Sequence, residues 1–134
     1  MHYLTRRFAF SASHRLCSGA LSAEEQEAAY GLCQNIHGHN YRLEITVRGE
    51  VDPKTGFFGN VMDLKALVDE RVANPCEHQF LNELPMFEDI ITTMEGLSSR
   101  IWQLLERPLA DCGMELYEIL LAETDDNIVR LRKD

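Results

Sequence analysis

Two stretches of this 134-residue chain alternate so regularly between apolar and polar residues that they predict the centre of its fold. From Phe8 to His14, and again from His37 to Val47, every second residue is apolar or a histidine. Successive side chains of a β-strand point to opposite faces of a sheet, so each stretch presents one face suited to burial. We therefore predict a first strand over residues 3–14 and a second over residues 39–49.

Three histidines share the predicted buried face of these strands. His14 has the parity of Phe10, and His37 and His39 have the parity of Tyr41. A single buried histidine is most often a hydrogen-bonded core residue, but three that converge indicate a metal site. Three imidazole ligands favour Zn²⁺, although iron and copper accept the same donors. Three protein ligands also leave one coordination position open for a substrate, as in catalytic zinc sites.

Two further groups have more than one interpretation. Cys33 precedes His37 by four residues, and a thiolate stabilised near a cation can act as a base or a nucleophile. The same thiol could instead be a fourth ligand that closes a structural zinc site, or simply a small buried residue. Glu77 and His78 form a carboxylate–imidazole pair in a predicted loop, where it is either displayed for function or merely solvated.

The helices are predicted from a change in residue spacing. Apolar residues after Asp63 follow a helical repeat, and Pro75 is expected to stop this helix. Thr92 and Glu95 fit a capping box that begins a second helix, with Thr92 as the N-cap. The segment between the first two strands predicts only a short helical turn or an excursion.

Residues 116–123 and 128–131 predict a third and a fourth strand. Tyr117 and Glu123 share parity with the apolar residues of the third strand, so both are predicted to point inward. A buried carboxylate is costly without a partner, so Glu123 is expected to have a specific one. The order ββααββ predicts one α+β domain that spans residues 1–134.

Composition restricts the class of protein. The net charge of −9 argues against non-specific nucleic-acid binding, because such binding depends on Lys and Arg. No segment approaches the roughly 20 apolar residues of a membrane span, and the N-terminus carries no apolar signal region. The four cysteines are scattered, so we expect free thiols. A soluble, cytoplasmic protein with neither nucleic-acid nor membrane partners is therefore expected.

Four longer motifs stand in order along nearly the whole chain: Phe10–Leu16, His37–Tyr41, Gly49–Gly56 and Glu123–Asn127. Together they resemble the 6-pyruvoyl-tetrahydropterin synthase family, which includes the bacterial 6-carboxytetrahydropterin synthases of queuosine (7-deazaguanine) biosynthesis. The resemblance implies the tunnelling T-fold, in which two helices are inserted between the second and third of four antiparallel strands. It also implies a homo-oligomer, a trimer or a homohexamer, with active sites at subunit interfaces.

The resemblance implies roles for most of the candidate residues. His14, His37 and His39 match the family's zinc ligands. Cys33 matches the cysteine that abstracts a proton from the substrate. Glu123 matches the glutamate that holds the guanidine-like edge of the pterin and couples to a proton relay.

Other candidates match the relay and the pterin pocket. His78 matches the relay histidine, which usually follows an aspartate in the family, whereas Glu77 precedes it here. Thr93 and Met94 match positions whose main-chain and hydroxyl groups contact the pterin ring. The longer side chain of Glu77 can reach the same imidazole only with a shifted backbone or rotamer.

These roles predict a zinc-dependent lyase that acts on 7,8-dihydroneopterin triphosphate. The predicted product is 6-carboxy-5,6,7,8-tetrahydropterin, formed with release of triphosphate and acetaldehyde, since the spacing of Cys33 and His37 resembles the bacterial branch. The alternative is a 6-pyruvoyl-tetrahydropterin synthase of tetrahydrobiopterin biosynthesis, a branch that the acidic excursion Leu21–Glu25 resembles. A non-catalytic zinc-stabilised T-fold module and a metal-independent, aldolase-like pterin enzyme are more remote alternatives.

Overall fold

The computed structural model describes all of residues 1–134, and four antiparallel strands form one sheet at its centre. The strands are β1 (His2–His14), β2 (His37–Gly49), β3 (Glu115–Ala122) and β4 (Ile128–Arg132), in the order β1-β2-β3-β4. The predicted α+β class and the antiparallel four-stranded sheet are confirmed. The strand β2 begins two residues earlier than predicted, so His37 lies within the strand.

The long pairing of β1 with β2 determines where the histidines lie. The two strands pair over 13 residues each, with His14 opposite His37 and Ala12 opposite His39. The predicted alternation holds, because one face of the pair is buried: Phe8, Phe10, Ala12, His14, Tyr41, Leu43, Ile45 and Val47. The histidines therefore lie together at one end of the face that covers the hydrophobic core.

The helical segment after β2 is longer than the sequence predicts. The helix α2 (Val61–Val68) continues through a π-helical stretch (Asp69–Ala73) into a last turn, α3 (Asn74–Cys76). Pro75 lies inside that last turn, so the predicted stop at Pro75 is wrong. The ring of a proline clashes with the carbonyl group four residues earlier in an α-helix, and the wider π-helical stretch gives it room.

The longest helix, α4 (Met94–Asp111), packs across the sheet. Its N-cap is Thr93, whose hydroxyl oxygen accepts a hydrogen bond from the backbone N–H of Gly96 at 3.1 Å. The prediction that Thr92 caps this helix is wrong by one residue. Thr92 is buried instead, and its hydroxyl group donates to the carbonyl oxygen of Arg15 at 3.1 Å. None of the helices is both long enough and apolar enough to cross a membrane.

A β-bulge changes the parity of the first residues of β3. The register between β2 and β3 shifts between Thr46 and Val47, which leaves Tyr117 as the extra residue. The prediction that Tyr117 points inward is therefore wrong. Its ring lies on the opposite face, 4.9 Å from the ring of Tyr3 and 4.9 Å below the guanidinium of Arg48. Beyond the bulge the predicted parity holds.

The segment between β1 and β2 forms more structure than a single turn. The helix α1 (Ala23–Tyr30) begins with a capping box between Ser22 and Glu25, and it buries no residue. A 3₁₀-helical turn (Gly31–Gln34) follows and carries the exposed Cys33. The excursion thus brings this thiol back to the start of β2, where His37 lies.

Candidate metal and catalytic site

Three histidines converge at the end of β1 and the start of β2. Their ring centroids are 4.6 Å apart for His14 and His37, 5.1 Å for His14 and His39, and 5.0 Å for His37 and His39. Each offers one ring nitrogen, and these nitrogens lie within 4.8 Å of one another. A single metal ion could therefore bind all three imidazoles.

Two of the rings are oriented by backbone carbonyl groups. Nδ1 of His14 lies 2.8 Å from the carbonyl oxygen of Thr92, and Nδ1 of His37 lies 2.7 Å from that of Asn35. A carbonyl oxygen can only accept, so each Nδ1 must carry the proton and each Nε2 must have a free lone pair. Metal-binding histidines characteristically make this second hydrogen bond.

The remaining ring nitrogens fit a metal. Nε2 of His14 and Nε2 of His39 are both buried without a hydrogen-bond partner. Such atoms are costly in a folded protein, and a cation would satisfy both. The donor set of three neutral imidazoles is the one that zinc, among other divalent metals, accepts.

Burial favours the neutral form of His14 and His39. Burial, together with the neighbouring His37 and His39, lowers the pKa of His14 from 6.5 to about 4, although the hydrogen bond that His14 donates to the carbonyl of Thr92 acts in the opposite direction. Burial also lowers the pKa of His39, while the carboxylate of Glu123 acts in the opposite direction. A metal can bind only the deprotonated nitrogen, so the environment prepares these side chains as ligands.

A cavity of about 240 Å³ adjoins the three rings. Besides the histidines, its lining includes Cys33, Thr93, Met94, Glu95 and Glu123. The structure thus brings together most of the side chains singled out in the sequence. Glu95 lines the cavity although its spacing indicates only a helix cap.

Glu123 follows the end of β3 and points toward the histidines. Its carboxylate Oε2 lies 3.6 Å from Nε2 of His39, and its side chain is mostly buried. The expected partner of this carboxylate is therefore a histidine of the cluster. An acidic group and a thiol therefore face the same cavity, Glu123 from the end of β3 and Cys33 from the turn before β2.

Glu77 and His78 do not line this cavity. They run along the outer edge of β1, where the backbone N–H of His78 donates to the carbonyl oxygen of Ser11 at 2.6 Å. The carboxylate of Glu77 accepts from the backbone N–H of Ser11 at 3.2 Å and lies 3.1 Å from Nε2 of His78. The imidazole of His78 is 81% exposed, so one chain alone leaves it open to solvent.

His78 also has an unusual backbone. Its φ angle is +57°, a left-handed conformation that residues other than glycine rarely adopt. Strained backbone of this kind concentrates at functional sites. His78 borders a second, polar cleft of about 390 Å³ with Ser11, Ser13 and Asn40, and His39 lines both this cleft and the cavity at the metal cluster.

Two residues near the cluster carry no signal in the sequence pattern. Thr92 orients His14 through its backbone carbonyl group, and a carbonyl group is common to every residue type. Tyr41 is 1% exposed, and its place in the alternating pattern indicates only a core aromatic residue. Its ring centroid nevertheless lies 5.5 Å from that of His39. Burial raises the pKa of Tyr41, so its phenol stays protonated at neutral pH.

Comparison with known proteins identifies the family. A model of the family described as 6-pyruvoyl tetrahydropterin synthase matches residues 3–134. A 6-pyruvoyl tetrahydrobiopterin synthase of Dictyostelium discoideum is 45% identical over 130 residues, which cover 96% of this chain and 94% of that protein. This chain belongs to the 6-pyruvoyl tetrahydropterin synthase family. The enzymes of this family are lyases.

A solved structure supports the same conclusion about the fold. The 6-pyruvoyl tetrahydropterin synthase of Caenorhabditis elegans superposes with a TM-score of 0.90 at 30% identity, covering 99% of this chain and 96% of that one. The predicted T-fold is thereby confirmed. A more distant relative, a protein of Archaeoglobus fulgidus provisionally named 6-carboxy-5,6,7,8-tetrahydropterin synthase, is 30% identical over 87% of this chain and 92% of its own length.

Protonation of His14 is expected to destabilise the metal-free protein in acid. Since burial lowers the pKa of His14 from 6.5 to about 4, the unfolded chain binds a proton below pH 6.5 that the folded chain does not. The free energy of unfolding therefore falls as the pH drops from 6.5, by about 3 kcal/mol in total at pH 4.

A matched variant isolates this contribution. In His14→Asn the side-chain N–H can still donate to the carbonyl of Thr92, but the side chain does not titrate. Chemical denaturation of both metal-free proteins at pH 7.5 and pH 4 should show a smaller acid loss for the variant. Equal losses would contradict the burial of a neutral His14.

Proposed function

We propose that this chain is a zinc-dependent 6-pyruvoyl-tetrahydropterin synthase, which eliminates triphosphate from 7,8-dihydroneopterin triphosphate. The observation that carries the proposal is the convergence of three histidines with Cys33 and Glu123 on one cavity. The preference for the 6-carboxy product in the sequence interpretation has weaker support, because the relative named for it is 30% identical. The relative named as a 6-pyruvoyl tetrahydrobiopterin synthase is 45% identical.

The three histidines would hold the metal through their Nε2 atoms. The carbonyl groups of Thr92 and Asn35 keep His14 and His37 in the tautomer that this requires. When bound, zinc supplies Lewis acidity to the two side-chain hydroxyl oxygens of the substrate, which makes the neighbouring C–H groups more acidic. Ligation by only three protein groups leaves room for those oxygens.

Cys33 is proposed as the base that removes a side-chain proton. Its sulfur is not part of the group of donors within 4.8 Å of one another, which argues against a fourth ligand. The thiol faces the cavity from an exposed 3₁₀-helical turn, so a substrate can reach it. A neighbouring cation would favour the thiolate, which is the reactive form.

Glu123 and the start of α4 are proposed to hold the pterin. A carboxylate can accept two hydrogen bonds from a guanidine-like edge, and Glu123 presents its carboxylate to the cavity. Thr93 and Met94 line the cavity at the N-terminus of α4 and would contact the ring. With the pterin held in this way, the substrate side chain would extend toward Cys33 and the histidines.

Glu77 and His78 are proposed to complete the site of a second copy in a homo-oligomer. Within one chain the imidazole of His78 lies at the outer edge of β1 and not in the cavity of Cys33. Its exposure and its left-handed backbone suit a group that another subunit covers. In the assembled site, the imidazole would return a proton to the substrate, with Glu77 as its partner.

The identity of the product distinguishes the proposed reaction from the alternative that forms a 6-carboxy pterin. Incubation of the zinc-loaded protein with 7,8-dihydroneopterin triphosphate is expected to release triphosphate and to leave a pterin with a pyruvoyl side chain. Mass spectrometry of the pterin and an aldehyde assay provide the measurement. Acetaldehyde with a 6-carboxy pterin would contradict the proposed product, and an unchanged substrate would contradict the enzyme.

Removal of the thiol tests the role of Cys33. The variant Cys33→Ala is expected to lose at least about 10²-fold in turnover, the usual contribution of a general base, while its zinc content stays at the wild-type level. Cys112→Ala is the control, since Cys112 is exposed at the opposite end of α4 and should retain both properties. Loss of zinc from Cys33→Ala would show that the thiol is a ligand.

Mixing two inactive variants tests whether the site is shared between subunits. His78→Asn removes the imidazole, and asparagine tolerates the left-handed backbone at this position. Re-association of His78→Asn with Cys33→Ala should restore up to about a quarter of the wild-type activity, because some interfaces then pair an intact thiol with an intact imidazole. A mixture that stays inactive after confirmed subunit exchange would contradict a shared site.

A further inference from the structure

The hydroxyl group of Tyr41 is buried without a partner beside the histidine cluster. The residue is 1% exposed, and its hydroxyl oxygen makes no hydrogen bond. A buried hydroxyl group without a partner lowers stability, because folding removes it from water and gives nothing in return. A phenylalanine would fill the same space without this cost. The hydroxyl group therefore needs an explanation other than packing.

The ring of Tyr41 has little freedom to move. It stacks on the ring of Phe10, with centroids 5.1 Å apart and planes inclined by 22°. It also meets the rings of His39 and His14 edge-on, at centroid distances of 5.5 Å and 6.1 Å. The packing thus holds the phenol between the hydrophobic core and the metal cluster.

Glu123 is the charged group that the strand register brings closest to Tyr41. The β2–β3 ladder pairs Arg42 with Ala122, so the next step places Tyr41 opposite Glu123, just beyond the end of β3. Opposite residues on one face of an antiparallel pair have Cβ atoms about 4.5–5.5 Å apart. Both side chains are on the inner face, since Tyr41 is in the core and Glu123 lines the cavity.

The carboxylate of Glu123 has acceptor positions to spare. Its only ion-pair contact is the 3.6 Å approach to Nε2 of His39, which is too long for a good hydrogen bond, and it makes no other side-chain hydrogen bond. A phenol has one donor and a carboxylate has about four acceptor sites. Hydrogen bonds to a charged acceptor are roughly twice as strong as neutral ones. The buried thiol of Cys76 is the other nearby candidate, and sulfur is a weak acceptor.

We propose that Tyr41 is a positioning residue whose hydroxyl group donates a hydrogen bond to Glu123 in the pterin complex. A bound pterin would draw the carboxylate of Glu123 away from His39 and toward the cavity. The hydroxyl group of Tyr41 would then donate its hydrogen bond to this carboxylate from the side of the hydrophobic core. The inference rests on the proposed function, because the ligand of Glu123 is taken to be a pterin. It adds a residue that touches neither the metal nor the substrate.

The variant Tyr41→Phe removes only the hydroxyl group. We expect its affinity for 7,8-dihydroneopterin, which lacks the triphosphate and does not react, to fall roughly tenfold, as the loss of one hydrogen bond to a charged group implies. The KM for the triphosphate substrate should rise by a similar factor, with a smaller change in kcat. Zinc content should not change, and the melting temperature should stay the same or rise.

A double-mutant cycle identifies the partner. In the Glu123→Gln background the charged acceptor is absent, so the further change Tyr41→Phe is expected to have little additional effect on affinity. Equal effects in both backgrounds would overturn the proposal, since the hydroxyl group would then act without Glu123. Packing defects would also appear in both backgrounds, so they cannot imitate the coupling.

A control and a reference complete the experiment. Tyr117→Phe removes a hydroxyl group on the opposite face of the sheet and should bind 7,8-dihydroneopterin like the wild type. Wild-type affinity in Tyr41→Phe would overturn the role of Tyr41 and leave the proposed function standing. Failure of the wild-type protein to bind the pterin at all would overturn both.

Discussion

The hydrogen bond between His14 and the carbonyl group of Thr92 joins the two halves of the site. It is buried and 2.8 Å long, and it connects the last residue of β1 to the loop that leads into α4. The hydroxyl group of Thr92 adds a second connection to the carbonyl of Arg15. The sheet brings the imidazoles, and α4 brings Thr93 and Met94. These two hydrogen bonds therefore fix the tautomer of His14 and hold the start of α4 beside the imidazoles.

Much of the metal cluster could be predicted because it depends on local periodicity. The alternation from Phe8 to His14 and from His37 to Val47 determines which face of each strand is buried, and the long β1–β2 pairing preserves it. Two strands with one buried face each have to align those faces to form a common core. Three histidines of the right parity then meet without any information from distant residues. Inward parity at the end of β3 likewise predicts the approach of Glu123 to the cluster.

Features that depend on non-local contacts could not be predicted from the sequence. The bulge at Tyr117 reverses the parity of one residue, and no pattern of apolar residues records it. The cap of α4 moves to Thr93 because the hydroxyl group of Thr92 is engaged by Arg15, which directly follows β1 and lies 77 residues away in the chain. The edge position of His78 depends on the hydrogen bond between its backbone N–H and the carbonyl oxygen of Ser11, which no local pattern records.

The π-helical stretch Asp69–Ala73 has a consequence for how the chain leaves the helix. Each residue of an α-helix advances the direction of the side chains by about 100°, so the extra residue of a π-helical turn rotates everything that follows. The rotation aims the end of α3 at the margin of the sheet. A regular α-helix over the same residues would leave in another direction, and Glu77 would not face the backbone N–H of Ser11 as it does here. An irregular turn in the middle of a helix thus sets the direction in which an acid–imidazole pair a few residues downstream leaves it.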